Sequence, residues 1–256
     1  MRYFNPFFYF YSLVVKHLSR VYIPKSIRRG LLHFTGRALF KMNREDFDIT
    51  TGGLESFNNI NEFFTREIDL TKRPLSKDEI VSPCEGTLIE YGNVTSSGIL
   101  AQVKGIDYSL DKLTADPTIS RSFYNGSFFN IYLSPRNYHR FHSPIAGTIE
   151  YIKHIPGLCL PVNKWGQKQP GIYTLNERYI VCIKNEGVRI CMAIVGAAAV
   201  RGIKILKQKN SVVEKGELLG MFELGSSIVL IYNKKISERK VRNNIELKVR
   251  GPVLSY

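Results

Sequence analysis

The sequence predicts an α+β fold, a strand-rich core preceded by N-terminal amphipathic helices. Three observations predict it. Apolar residues in roughly the first forty positions recur at helical spacing. From Thr87 onward the apolar runs are short and separated by Gly, Pro and Asn, the punctuation of strands and turns. The composition, 44% hydrophobic and 12% aromatic with no polar low-complexity tract, is that of a folded chain. At 256 residues the chain suits one large body with an appendage, divided here into an arm, residues 1–44, and a body, residues 45–256.

In the arm, Phe4, Phe7, Phe8, Tyr11, Val15, Leu18 and Tyr22 fall on one helical stripe, with Lys16, His17 and Arg20 on the other faces. The apolar stretch from Phe7 to Val15 is shorter than the roughly 20 residues that span a bilayer, and no small-residue cleavage site follows it. A helix lying on a membrane fits, with packing onto its own domain as the alternative. A second basic helical stretch, Ser26 to Phe40, follows Pro24. A short helix over Asn59 to Thr65 then leads through Arg73-Pro74 into strands. These are expected at Thr87–Tyr91, Phe128–Leu133, Gly147–Ile152, Tyr179–Lys184, Val188–Val195, Val200–Leu206 and Ser227–Tyr232. The strands around Val181 and Leu230 are apolar enough to be buried on both faces. A turn at Glu214-Lys215-Gly216-Glu217 delivers Leu219 to Leu224 as a strand running into Gly225.

The net charge of +14 is concentrated in the arm: residues 1–44 hold nine Lys/Arg and no Asp/Glu, leaving 27 basic against 22 acidic side chains in the body. Such an arm suits an anionic surface, a phospholipid leaflet or a nucleic acid, and composition does not choose between them. Cys84, Cys159, Cys182 and Cys191 are irregularly spaced with no CxxC pair, which indicates neither a zinc site nor a disulfide framework. Reduced thiols of this kind favour a cytosolic compartment.

Three segments could carry chemistry together. Gly225-Ser226-Ser227 places two hydroxyls after a glycine between two apolar strands, a pattern that by itself reads as a turn. The segment from Tyr132 to Pro144 holds His139 and His142 between prolines, and histidine is the side chain most easily placed as a base for a serine hydroxyl. Ser82-Pro83-Cys84-Glu85-Gly86 offers a carboxylate in a turn ahead of a strand, the third role of a nucleophile, base and orienter set. A metal site lacks further His or Cys at ligand spacing.

These segments resemble the phosphatidylserine decarboxylase family, in family order through most of the chain. The likeness runs from Phe63-Phe64-Thr65-Arg66 and Arg73-Pro74-Leu75 to Ser82–Gly86, Val103–Leu110 and Leu133–Pro144. It continues through Leu160-Pro161-Val162-Asn163, Asn176-Glu177-Arg178 and Val195-Gly196-Ala197 to Leu224-Gly225-Ser226-Ser227. The resemblance implies a proenzyme that cuts itself between Gly225 and Ser226 into a β chain, residues 1–225, and an α chain, residues 226–256. It implies that Ser226 becomes a covalent pyruvoyl group, with no metal or diffusible cofactor. The 45–256 body would be the catalytic domain, and the arm would dock on an anionic membrane that holds phosphatidylserine. Phosphatidylserine would be converted to phosphatidylethanolamine and carbon dioxide through a Schiff base with that group. The resemblance further implies association of the two chains after the cut, a homodimer of the αβ unit, and a peripheral place on the cytoplasmic face of the cell membrane.

By the same resemblance His142 takes the Ser226 proton, Glu85 orients its imidazole, His139 serves proton transfer or carboxylate recognition, and Ser227 helps cradle the pyruvoyl group. Two positions depart from the usual pattern: Glu85 stands where the family has Asp, and Ser227 where Thr is commonest. The added methylene at Glu85 moves the carboxylate by about 1 Å, a misplacement that can cost about 10²-fold. Arg201-Gly202 is also unusual after the Val195–Ala197 block. Rival classes are a lipoyl or biotinyl carrier, suggested by the turn at Val212–Gly216, a pyruvoyl enzyme for a soluble amino acid, and a nucleic-acid binder. The first has no use for the histidine segment, the second none for a basic aromatic arm, and the third lacks a binding module.

Overall fold

A computed structural model describes residues 13–100, 107–162, 169–197, 202–223, 226–236 and 244–253, with only the backbone described at Ser226. Most of the helical stripe expected from Phe4 therefore lies outside the described residues. Its end is helical, as α1, residues 13–18.

Helix α2, Lys25–Phe34, runs on into a π-helical turn, Thr35–Leu39. Its inner face is Arg28, Leu32 and Thr35, and the Arg28 guanidinium is held by the carbonyls of Ile23 and Glu55. Helix α3, Arg44–Asp48, starts with a reciprocal cap: Asn43 accepts from the Asp46 amide while the Asp46 carboxylate accepts from that of Asn43. Helix α4, Ile60–Phe64, is capped by Asn59, whose side chain accepts from Glu62 N. Ile23, Leu32, Met42 and Phe63 form the core of this helical unit, so its packing continues across position 44. The outward side is apolar as well: Leu18, Val21, Tyr22, Ile27, Leu31, Phe34 and Leu39 are exposed. Among the described residues no helix is long and apolar enough to cross a membrane.

The body is built on an eight-stranded sheet and a three-stranded one. Its strands, in chain order, are β1 (Gly86–Asn93), β2 (Ile99–Leu100), β3 (Tyr108–Ser109), β4 (Ser127–Leu133), β5 (Arg140–His142), β6 (Gly147–Ile155) and β7 (Arg178–Lys184). Then follow β8 (Arg189–Gly196), β9 (Ile203–Ile205), β10 (Val212–Val213), β11 (Leu218–Phe222), β12 (Ser226–Tyr232) and β13 (Ile245–Leu247). The large sheet has the order β10-β6-β7-β8-β12-β4-β1-β13, antiparallel throughout, and the small one is β5-β11-β9. Period-2 alternation sends Ile228 and Leu230 of β12 to one face and Val229 and Ile231 to the other. The first face packs against Phe141, Leu219 and Phe222 of the small sheet. The second is covered by α5 (Leu110–Thr114) and α7 (Ile172–Leu175), with Phe123 following α6 (Pro117–Arg121). The expected two-sided burial at Val181 and Leu230 is present in an antiparallel sheet because both faces are covered.

The expected α+β class, the long strands and the turn at Glu214–Glu217 are all present, with Gly216 at φ 79°. Two expectations change. The Val200–Leu206 strand is only Ile203–Ile205 where described, and the histidine segment, absent from the expected strands beyond Leu133, contributes the strand β5. Three residues are too few to show a period, and β5 is ordered by pairing with Leu218, Gly220 and Met221 across a bulge. The four cysteines are free and buried.

Gly220 sits on the central strand of the small sheet: a Cβ there would stand 2.3 Å from the Lys204 carbonyl oxygen on β9 and 2.4 Å from Phe141 Cζ on β5. Gly220→Ala is expected to destabilise the protein by about 1–3 kcal/mol. Gly30→Ala, inside α2 with nothing within 4 Å of the added carbon, is expected to stabilise it by about 0.5–1 kcal/mol. Denaturant midpoints of the two variants check both signs.

Candidate active site

The histidine segment is ordered by the chain around α4. Phe64 stacks on the His139 ring at 3.9 Å between centroids, Arg66 Nη2 donates to the Arg136 carbonyl at 2.7 Å, and Arg140 Nε donates to the Thr65 carbonyl at 2.9 Å. Within the segment, the Asn137 side chain accepts from both the amide and the hydroxyl of Ser134. The Phe63–Arg66 and Leu133–Pro144 blocks, seventy residues apart, are thus one packed unit.

His139 is fully buried. Its Nε2 donates to the Ser134 carbonyl at 3.0 Å, which leaves Nδ1 as a bare acceptor without a partner among the described residues. Burial, and then the nearby Arg66 charge, push its pKa down to about 3. His142 is almost as dry. Its Nδ1 donates to the Gly216 carbonyl at 2.9 Å, so Nε2 carries the lone pair and accepts from the Tyr138 hydroxyl at 3.0 Å. Burial lowers its pKa to about 4, the Gly216 bond opposing the shift.

Glu85 does not contact the imidazole it was expected to orient. Its carboxylate pairs with Arg73 Nε at 2.5 Å in a buried ion pair, and the orienting acceptor at His142 Nδ1 is the Gly216 carbonyl instead. The glutamate's turn still reaches His142 through the backbone, since the His142 amide donates to the Pro83 carbonyl at 2.7 Å. The Arg73 block and the Glu85 block are therefore joined by charge, and Glu85 fixes the turn rather than the ring.

Gly225 and the Ser226 side chain lie outside the described residues. The backbone of Ser226 opens β12, in register with Leu133 on one side and Gly196 on the other. Leu133 leads into Ser134, which holds His139. On the other side Asn176, fully buried, bridges the Gly196 carbonyl to both the amide and the carbonyl of Leu160, so three of the sequence blocks converge on that edge. Ser227 faces the second core, its hydroxyl buried beside Tyr173 and without a hydrogen bond among the described residues. The Tyr173 hydroxyl is in the same condition, and burial raises its pKa well above the ordinary phenol value.

Glu223 connects this end of the sheet to the arm. Its carboxylate pairs with Arg20 at 2.7 Å and Lys16 at 3.5 Å, and its amide donates to the Gly202 carbonyl at 2.9 Å. A Cβ on Gly202 would stand 2.0 Å from Glu223 Oε2, the far end of a flexible side chain. Arg201 lies outside the described residues. Among the described residues no cluster of three potential metal ligands occurs.

Sequence reasoning passed over Gly216, Tyr138, Arg73 and Tyr173 as parts of the site. The first three stand in segments already singled out, Arg73 and Tyr138 in the resemblance blocks and Gly216 in the turn, whereas nothing in the sequence marks Tyr173.

Both histidines have folded-state pKa values below the unfolded value near 6.5. The unfolded chain therefore binds protons that the folded chain refuses, and stability is complete above about pH 6.5 and falls as pH drops toward the folded values. Between pH 6.5 and 5 the loss is expected to be about 1–2 kcal/mol per histidine. Denaturant unfolding across that interval should show a smaller loss in His139→Phe, which retains a ring to stack on Phe64.

Residues 60–253 match the family model described as phosphatidylserine decarboxylase. A protein from Acinetobacter baumannii is 33% identical over 211 residues, covering 76% of this chain and 74% of that protein. One from Myxococcus xanthus is 31% identical over 243 residues, covering 88% and 85%. One from Alcanivorax borkumensis is 32% identical over 243 residues, covering 84% and 83%. All three are named phosphatidylserine decarboxylase proenzyme. With the match spanning the Phe63–Arg66 block, the histidine segment and the start of β12, the chain belongs to the phosphatidylserine decarboxylase family.

Proposed function

We propose that this chain cuts itself between Gly225 and Ser226, carries a pyruvoyl group on residue 226, and converts phosphatidylserine to phosphatidylethanolamine and carbon dioxide at a membrane surface. The observation that supports this most is the arrangement at the head of β12. Residue 226 opens a fully paired strand, and its register neighbour Leu133 runs directly into the segment that carries two unprotonated histidines.

In the cut, Ser226 Oγ attacks the Gly225 carbonyl carbon and its proton passes to His142 Nε2, whose lone pair the Tyr138 hydroxyl holds in the uncut chain and releases for this step. The amide C–N bond gives way to an ester, and the residue 226 nitrogen becomes an amine. Burial keeps His142 Nε2 unprotonated at neutral pH, and the Nδ1–H bond to Gly216 fixes the direction of its ring. Loss of the Gly225 carboxylate by elimination leaves a dehydroalanine, and water replaces its nitrogen, released as ammonia. Glu85, paired with Arg73, is a positioning residue for the Pro83 carbonyl that holds the His142 backbone.

Polar groups on the elements that lead to and from residue 226 suit a small carbonyl group. His139 Nδ1, the Ser227 hydroxyl and the Tyr173 hydroxyl are buried polar atoms with bonding capacity to spare among the described residues. Ser227 and Tyr173 would support the group from the second core, and His139 from the histidine segment. The group supplies an electron sink for the bond that breaks when carbon dioxide leaves. His139 manages a proton or the substrate carboxylate beside it.

The exposed apolar side chains from Leu18 to Leu39, among Lys16, Arg20, Lys25 and Arg29, suit a helical unit lying in an anionic interface. We assign the protein to the cytoplasmic face of the cell membrane, as a peripheral homodimer of the αβ unit without nucleic acid or metal.

His142→Ala is expected to slow the cut by about 10²–10⁴-fold, read as uncut chain on denaturing gels. In the wild type the cut should keep its rate from pH 8 down to about 5 and fail as pH drops through about 4, where His142 takes a proton. A fall centred near 6.5 would contradict the buried base. Carbon dioxide release should occur from vesicles holding phosphatidylserine and not from free serine. The opposite preference would overturn the lipid substrate.

A further inference from the structure

Helix α2 carries three stripes rather than two. Arg28, Leu32 and Thr35 are buried, while Ile27, Leu31 and Phe34 are exposed and apolar. Arg29, His33 and Arg37 follow at successive spacings of four and line one wall of a cavity of about 620 Å³. Arg44 and Phe47 of α3 form a further wall. Gly36 lets that wall come close, since a Cβ there would stand 2.6 Å from Phe47 Cζ, and His33 stacks on Phe47 at 5.1 Å. The π-helical turn carries Arg37 at the end of the stripe. Such turns recur at functional sites.

The charges in the cavity do not cancel. Glu55 faces Arg29 at 3.5 Å and Asp48 faces Arg44 at 3.7 Å, both beyond normal hydrogen-bond length and both exposed. Arg37 has no ion pair among the described residues; its Nη1 donates to the Met42 carbonyl at 3.0 Å, leaving other donors of its planar fork to bind. A volume of this size suits a small polar ligand, and an arginine fork suits a phosphate. On the helix the exposed apolar stripe is the neighbour of the arginine stripe. A ligand with an anionic phosphate joined to acyl chains would meet both at once.

We propose that this cavity binds the headgroup phosphate of an anionic phospholipid, with Arg37 as the principal contact and Arg29 and Arg44 beside it. The site shares no residue with the histidine segment. It rests on the membrane-surface reading above and not on the self-cleavage, so its test reads binding alone. Docking through it would seat Ile27, Leu31 and Phe34 in the acyl boundary and leave Leu32 in the protein core.

The test is co-sedimentation of the full chain with phosphatidylcholine vesicles, with and without phosphatidic acid, and with oleate vesicles matched in surface charge. Wild type should favour phosphatidic acid over oleate. Arg37→Gln should weaken binding to phosphatidic acid vesicles about tenfold, the worth of one charge-assisted phosphate contact. Arg37→Lys should weaken it nearly as much, because an ammonium keeps the charge and loses the fork. Lys209→Gln, an equal charge change on the body, should alter it by less than about twofold. Full binding by Arg37→Lys, or equal binding to oleate, would reduce the cavity to a diffuse charged surface and overturn the site. Arg37-dependent binding of inorganic phosphate in titration, without any Arg37 effect on vesicles, would make the ligand free phosphate and overturn the lipid.

Discussion

Strand β12 is hydrogen-bonded along both edges over all seven of its residues, and the rest of the molecule is arranged by that fact. A strand so held cannot slide by one residue without turning Ile228 and Leu230 out of one core and Val229 and Ile231 out of the other. Position 226 is therefore fixed relative to Leu133 and Gly196 by the whole sheet. A proposed cut just before it would remove no rung of its ladder with either neighbour. The same pairing would give the proposed 31-residue α chain a reason to stay, since β12 lies between β4 and β8 and β13 pairs with β1 at the sheet edge.

Around that fixed point the polar groups are dry and oriented by backbone rather than by opposite charge. His139 and His142 each give a proton to a carbonyl, of Ser134 and Gly216, and burial keeps both neutral. The buried charges are set back from the rings. Arg73 with Glu85 secures one turn, and Arg66 secures the backbone at Arg136. Arg178, its pKa lowered to about 10 by burial, holds four carbonyls, including Leu113 and Asn176, beneath the second core.

Much of this was legible in the sequence because it is periodic or ordered along the chain. The long strands announced themselves by β-branched runs between Gly, Pro and Asn, and the sequence blocks stand in family order. Other features depend on residues brought together only by the fold. Strand β5 is too short to carry a period. The partner of Glu85 is an arginine twelve residues upstream, so reading the carboxylate as the histidine's orienter missed the Gly216 carbonyl. Tyr173 makes sense only against Ser227. The boundary expected at residue 44 followed the charge, whereas Leu32 and Phe63 pack as one core across it.

The arm and the catalytic end meet at Glu223, bound to Arg20 and Lys16 three residues before the start of β12. In the proposed function this brings lipid contact and chemistry together in one molecule, and the account turns on what has happened at residue 226. Denaturing intact-mass analysis of the purified protein measures this directly. The account predicts two species, residues 1–225 and a 31-residue fragment beginning at 226, the smaller bearing a ketone in place of its amino terminus. A single uncut chain of 29.3 kDa, under conditions where phosphatidylserine is decarboxylated, would contradict it.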